Sequence, residues 1–81
     1  MYVHLDYGRK VDDFVEATKK IGGKCELVYG RAIIDPSSTL GIFTADLSTP
    51  LVFRYENDTP DSLALLKPFI ANPKNNKEET E

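Results

Sequence analysis

Cysteine is nearly absent: Cys25 stands alone, which excludes an intrachain disulfide framework. Its place within an alternating strand pattern fits a small apolar filler better than a reactive thiol. Histidine is equally scarce, and His4 and Cys25 do not form a pair with metal-ligand spacing, so neither a metal nor another cofactor is expected. No apolar run approaches the roughly 18 residues that a membrane helix needs. Basic clusters are missing too: none exceeds Lys19-Lys20, and 10 Lys plus Arg against 13 Asp plus Glu give a net charge of −3, which argues against nucleic acid as a partner. The opening Met1-Tyr2-Val3-His4-Leu5-Asp6 lacks the basic-then-apolar order of a secretory leader, so a cytoplasmic location is expected.

What is present is ordinary for a globular domain, with 41% apolar and 28% charged residues in 81. A chain of this length buries only roughly 60% of its unfolded surface, so one small core and no deep substrate cavity are expected. Tyr2 to Asp6 alternates like a half-buried strand, with Val3 and Leu5 on one face. From Lys10 the apolar positions Val11, Phe14, Val15, Thr18 and Ile21 fall at helical spacings, and Gly22-Gly23 ends that helix. Lys24 to Asp35 reads as a hairpin turning at Tyr29-Gly30-Arg31, with Cys25, Leu27 and Tyr29 sharing a face. Leu51 to Tyr55 is a further strand, and Thr59-Pro60-Asp61 opens a last helix with Leu63, Leu66 and Ile70 as its buried stripe and Leu65 and Phe69 beside them. Pro68 lacks the N–H that would bond to Ala64, so that helix should kink or loosen over its final turn. Residues 1–70 form the domain, and residues 71–81 read as a polar, frayed or disordered tail. Phe14, Ile21, Leu27, Ile34, Phe53, Leu66 and Phe69 are expected in one shared core.

Between the hairpin and the last strand stands Asp35-Pro36-Ser37-Ser38-Thr39-Leu40-Gly41-Ile42-Phe43. Asp35-Pro36 stops the strand, and Ser37 or Ser38 can cap a short helix running to about Asp46 with Leu40, Ile42, Phe43 and Leu47 as its apolar members. Gly41 inside it costs roughly 1 kcal/mol relative to Ala unless something packs closely on its backbone, which hints at a contact surface. The hydroxyls at this helix start would also suit a phosphate. No enzymatic chemistry is legible elsewhere. Asp12, Asp13 and Glu16 lie on a solvated helix face, and Ser37, Ser38 and Thr39 have no downstream His to serve as base.

The order β-α-β-β-α-β-α and two local patterns together resemble the histidine-containing phosphocarrier (HPr) family of the bacterial phosphoenolpyruvate-dependent sugar phosphotransferase system. Asp35 to Phe43 is similar to that family's segment around its regulatory serine, usually Ala-Lys-Ser, two apolar residues, Gly and another apolar residue. Arg9 with Phe14-Val15 falls where the family has its active-site Arg and first helix, and the two patterns align without a gap from Tyr7 to Leu47. The resemblance implies an α+β, two-layer open-faced sandwich: a four-stranded antiparallel sheet covered on one face by three helices.

In that family the phosphorylated His stands two residues before the Arg, at the N-terminus of the first helix, and the match puts Tyr7 there. A phenol with a pKa near 10 cannot carry the reversible phosphoryl relay of an imidazole. Lys10 also replaces the family's Pro, and Ser37 its Lys before the serine. The resemblance therefore implies a monomeric regulatory or protein-binding module that has lost the relay. Ser38 would be the target of an HPr-type serine kinase, and a transcriptional regulator or a phosphotransferase-system component the partner. Tyr7, Arg9, Ser38, Thr39, Gly41, Ile42 and Phe43 would form the contact surface. Two alternatives stand beside it: an active phosphocarrier using His4 as a displaced acceptor, and a domain of this fold retained for an unrelated protein contact.

Overall fold

The computed structural model describes residues 1–71. Strands β1 (Tyr2–Val3), β2 (Cys25–Tyr29), β3 (Ala32–Ile34) and β4 (Leu51–Tyr55) form one antiparallel sheet in the order β1-β4-β2-β3. Helices α1 (Val11–Ile21), α2 (Thr39–Ile42) and α3 (Pro60–Leu66) alternate with the strands, and two 3-10 turns, Asp6–Gly8 and Lys67–Phe69, stand before α1 and after α3. The described part of the chain is thus an α+β domain.

Helix α1 follows its periodicity closely: Val11, Phe14, Val15, Thr18 and Ile21 are all buried, while Asp12, Asp13 and Glu16 are exposed. Asp12 and Asp13 in its first turn and Lys19 and Lys20 in its last complement the helix dipole. Gly22 ends it with φ at 70°, its N–H donating to the Thr18 carbonyl at 3.1 Å. All seven expected core residues belong to one buried cluster. At its centre the Phe14 ring meets Phe53 and Phe69 edge-on, with centroids 5.3 and 5.2 Å away. Burial of alternate strand residues, Val3, Leu27, Leu51 and Phe53, brings one side of the sheet into this core.

Several boundaries differ from the sequence reading, each for a local reason. Strand β1 pairs with β4 only at Tyr2 and Val3, and just beyond it the His4 N–H donates to the Phe69 carbonyl at 2.7 Å, on the strand's other edge. Helix α2 ends at Ile42, short of Asp46, since Thr44 and Ala45 donate back three residues, to Gly41 and Ile42, and tighten the chain out of α geometry. Leu63 lies on the exposed side of α3, and its buried contacts come from Leu66 and, one 3-10 turn on, Phe69. Pro68 acts as expected: α3 ends at Leu66 and the chain continues as the Lys67–Phe69 turn. Ala71, assigned to the tail from sequence, is buried, and its N–H donates to the Tyr2 carbonyl at 2.9 Å, beside a bridge between Val3 and Ile70. The remainder of that tail, residues 72–81, lies outside the described residues.

Candidate functional site

The segment Asp6-Tyr7-Gly8 carries three successive positive φ angles, 53°, 59° and 96°. Only glycine adopts such angles freely, so Asp6 and Tyr7 are each strained, by about 1–3 kcal/mol on general grounds. Hydrogen bonds hold the turn in place. Gly8 and Lys10 donate to the Leu5 carbonyl at 3.0 and 3.2 Å, Arg9 donates to that of Asp6 at 3.0 Å, and Tyr7 donates to Leu47 at 3.1 Å. The last of these ties the turn to the chain just after α2. Tyr7 is left 68% exposed, its ring edge-on to His4 with centroids 6.2 Å apart. The Arg9 guanidinium lies 3.5 Å from the Asp6 carboxylate, both exposed enough that the pair adds little stability.

Helix α2 meets this turn through Phe43. A Cβ placed on Gly8 would lie 2.9 Å from Cε1 of the Phe43 ring and 3.7 Å from Leu47, so any side chain there would have to push the ring aside as well as adopt the glycine's positive φ. Phe43 remains 53% exposed, and Leu40, one helical turn earlier, 83%. The two serines before the helix divide their work. Ser37 donates its hydroxyl and its N–H to the Asp35 carboxylate at 2.7 and 2.9 Å, whereas Ser38 Oγ accepts from the Gly41 N–H at 3.0 Å and is the cap. Asp46 and Ser48 repeat the Asp35–Ser37 arrangement on the far side of α2. In both, the serine hydroxyl first and its N–H second hold the carboxyl below the usual aspartate value.

Of the expected contact residues, Tyr7, Arg9 and Phe43 are exposed, and Ser38, Thr39 and Gly41 are half-buried. Ile42 is corrected. It is fully buried, because a one-turn helix turns that position into the core while its neighbours face out. Gly41 also has an internal reason, since a Cβ there would press on Ser38 Oγ at 3.2 Å and on Ile34 at 3.4 Å. Leu40, one of the helix's apolar members, is the most exposed large hydrophobic residue among those described. The available signal was its place two residues before Ile42, about 200° away around a helix. Tyr7 does not stand at the start of α1: it lies four residues before Val11, and its N–H is committed to Leu47.

His4 is half-buried beyond the end of β1, with Nε2 3.3 Å from the Ser48 carbonyl. Burial first, then the Glu56 and Asp35 carboxylates, push the Cys25 thiol up, which keeps it protonated and unreactive. Among the described residues no group of three His, Cys, Asp or Glu side chains is placed to hold a metal ion, and no helix is long and apolar enough to cross a membrane. Comparison with protein-family models, curated proteins and solved structures finds no match for this chain.

Proposed function

We propose that this is an HPr-like protein of the sugar phosphotransferase system that serves as a regulatory, protein-binding module without a histidine phosphoryl relay. On this reading the fold is the two-layer open-faced sandwich of that family, the chain is cytoplasmic and not an enzyme, and its partners are an HPr-type serine kinase and a transcriptional regulator or phosphotransferase-system component. One observation carries the reading. The two segments on which the resemblance rests, far apart in sequence, meet through Gly8 and Phe43, and each leaves large side chains exposed, Tyr7 on one and Leu40 and Phe43 on the other. Strained backbone held rigid beside exposed aromatic side chains suits a preformed protein contact.

Ser38 is the phosphorylation site of this proposal. No Lys or Arg occurs between Asp35 and Asp46, so recognition by a kinase has to draw on the apolar patch and on Arg9 instead of on charge next to the serine. Purified chain treated with an HPr-type serine kinase and ATP should gain one phosphate, mapped by mass spectrometry to Ser38, and binding to the cognate regulator should be lost in Ser38→Ala. No phosphate on Ser38, with the alanine variant binding as well as the parent, would reduce the serine to a helix cap.

A second reading draws on His4. When Nε2 donates to the Ser48 carbonyl, Nδ1 holds the free lone pair, and the ring borders Tyr7 on this same surface. Attack of Nδ1 on the phosphorus of a phosphorylated donor protein, with that donor's own side chain as leaving group, would make His4 a displaced carrier. Incubation with the general phosphotransferase enzyme and phosphoenolpyruvate distinguishes the readings: acid-labile phosphate that disappears in His4→Ala selects the carrier.

A further inference from the structure

The sheet has a second side that takes no part in the proposed contact surface. The registers Tyr2↔Val52, Val52↔Val28 and Val28↔Ile33 align four apolar side chains in one row across all four strands, on the side opposite Leu27 and Phe53. Tyr2 and Ile33 at the ends of the row are 53% and 61% exposed, and the two valines between them are half-buried. Two residues along the central strands, Arg54 and Glu26 are register partners on the same side, with Arg54 Nη2 3.5 Å from the Glu26 carboxylate.

This arrangement is self-complementary. The sheet order places two strands on each side of a line between β4 and β2. A two-fold axis along that line, parallel to the strands and lying above the face, sets Val52 over Val28 of a second copy and Tyr2 over its Ile33. The same rotation sets Arg54 over Glu26 of that copy and Glu26 over its Arg54. Apolar groups therefore meet apolar groups, and each charge meets its opposite, as an isologous contact requires. We propose that two copies of the chain associate through this sheet face, stacking their sheets about 10 Å apart in a four-layer dimer that leaves Tyr7, Leu40 and Phe43 free. The four strands are two, five, three and five residues long, so at about 4.8 Å between strands and about 3.3 Å per residue the face covers roughly 240 Å² on each copy, a contact smaller than a standard specific interface. The dimer is accordingly weak and forms only in the upper micromolar range, in place of the monomer expected from sequence.

Sedimentation equilibrium of the full chain from about 10 μM to about 1 mM tests this. The expected result is a monomer at the low end and a growing dimer fraction towards the high end. Arg54→Glu sets acid against acid at both ends of the two-fold and should weaken association at least about tenfold, and the exchange Glu26→Arg with Arg54→Glu should restore it to within about threefold. Ile33→Ser, at an exposed position whose loss leaves the core intact, should weaken it as well. A chain that stays monomeric throughout overturns the proposal. So does a dimer indifferent to Arg54→Glu, or one that the charge exchange fails to restore.

Discussion

Phe14→Ala is expected to remove a large share of the domain's stability. Its ring is fully buried, touches Phe53 and Phe69 edge-on, and stands where α1 meets the sheet and the Lys67–Phe69 turn. Truncating a buried phenylalanine costs about 3–5 kcal/mol, because the transfer energy of the ring is lost and the cavity collapses only in part. A domain of this size holds about 4–12 kcal/mol altogether. The urea midpoint should therefore fall by more than about 2 M, given an unfolding slope of about 1–1.5 kcal/mol per molar for a chain this small. Phe14→Leu, which keeps most of the volume, should lose less than half as much. A fall of less than about 0.5 M for the alanine variant would mean that Phe14 is not at the centre of the core.

The second large effect is expected at Gly8, where two penalties coincide. An alanine must adopt φ near 96°, and its Cβ would fall 2.9 Å from the Phe43 ring. Gly30 offers a control, with φ of 60° and nothing within 4 Å of the added carbon. Gly30→Ala should cost about 1 kcal/mol from backbone strain alone, and Gly8→Ala about 2–3 kcal/mol because the ring has to move as well. In a Phe43→Ala background that excess should vanish, leaving the two glycine substitutions nearly equal in a urea titration. Equal costs in the parent background would show that the turn and α2 do not touch.

The parts of this fold legible in the sequence are those where side-chain spacing decides burial without help from elsewhere. Val11, Phe14, Val15, Thr18 and Ile21 needed only the 3.6-residue period, and Thr59-Pro60 marked the start of α3 through capping chemistry that the structure repeats, with Ser62 N–H donating to Thr59 Oγ1 at 3.1 Å. The candidate surface was legible as residues and not as geometry. Its exposure pattern depends on where α2 stops, which backbone bonds at Gly41 and Ile42 determine, and so Ile42, expected on the contact surface, is buried while Leu40, an apolar member of the same helix, faces out. The left-handed Asp6-Tyr7 pair was equally hidden. Neither residue type demands positive φ, and the bond from Tyr7 to Leu47 that supports it joins segments 40 positions apart.

The measurement closest to the central claim is a titration of isotope-labelled chain with an HPr-type serine kinase, followed by amide chemical shifts. Shifts should concentrate at Tyr7, Arg9, Leu40 and Phe43 and leave Val28, Val52 and Ile33 unmoved. Shifts confined to the sheet face, or none at all up to about 1 mM kinase, would contradict a contact surface built from the Tyr7 turn and α2.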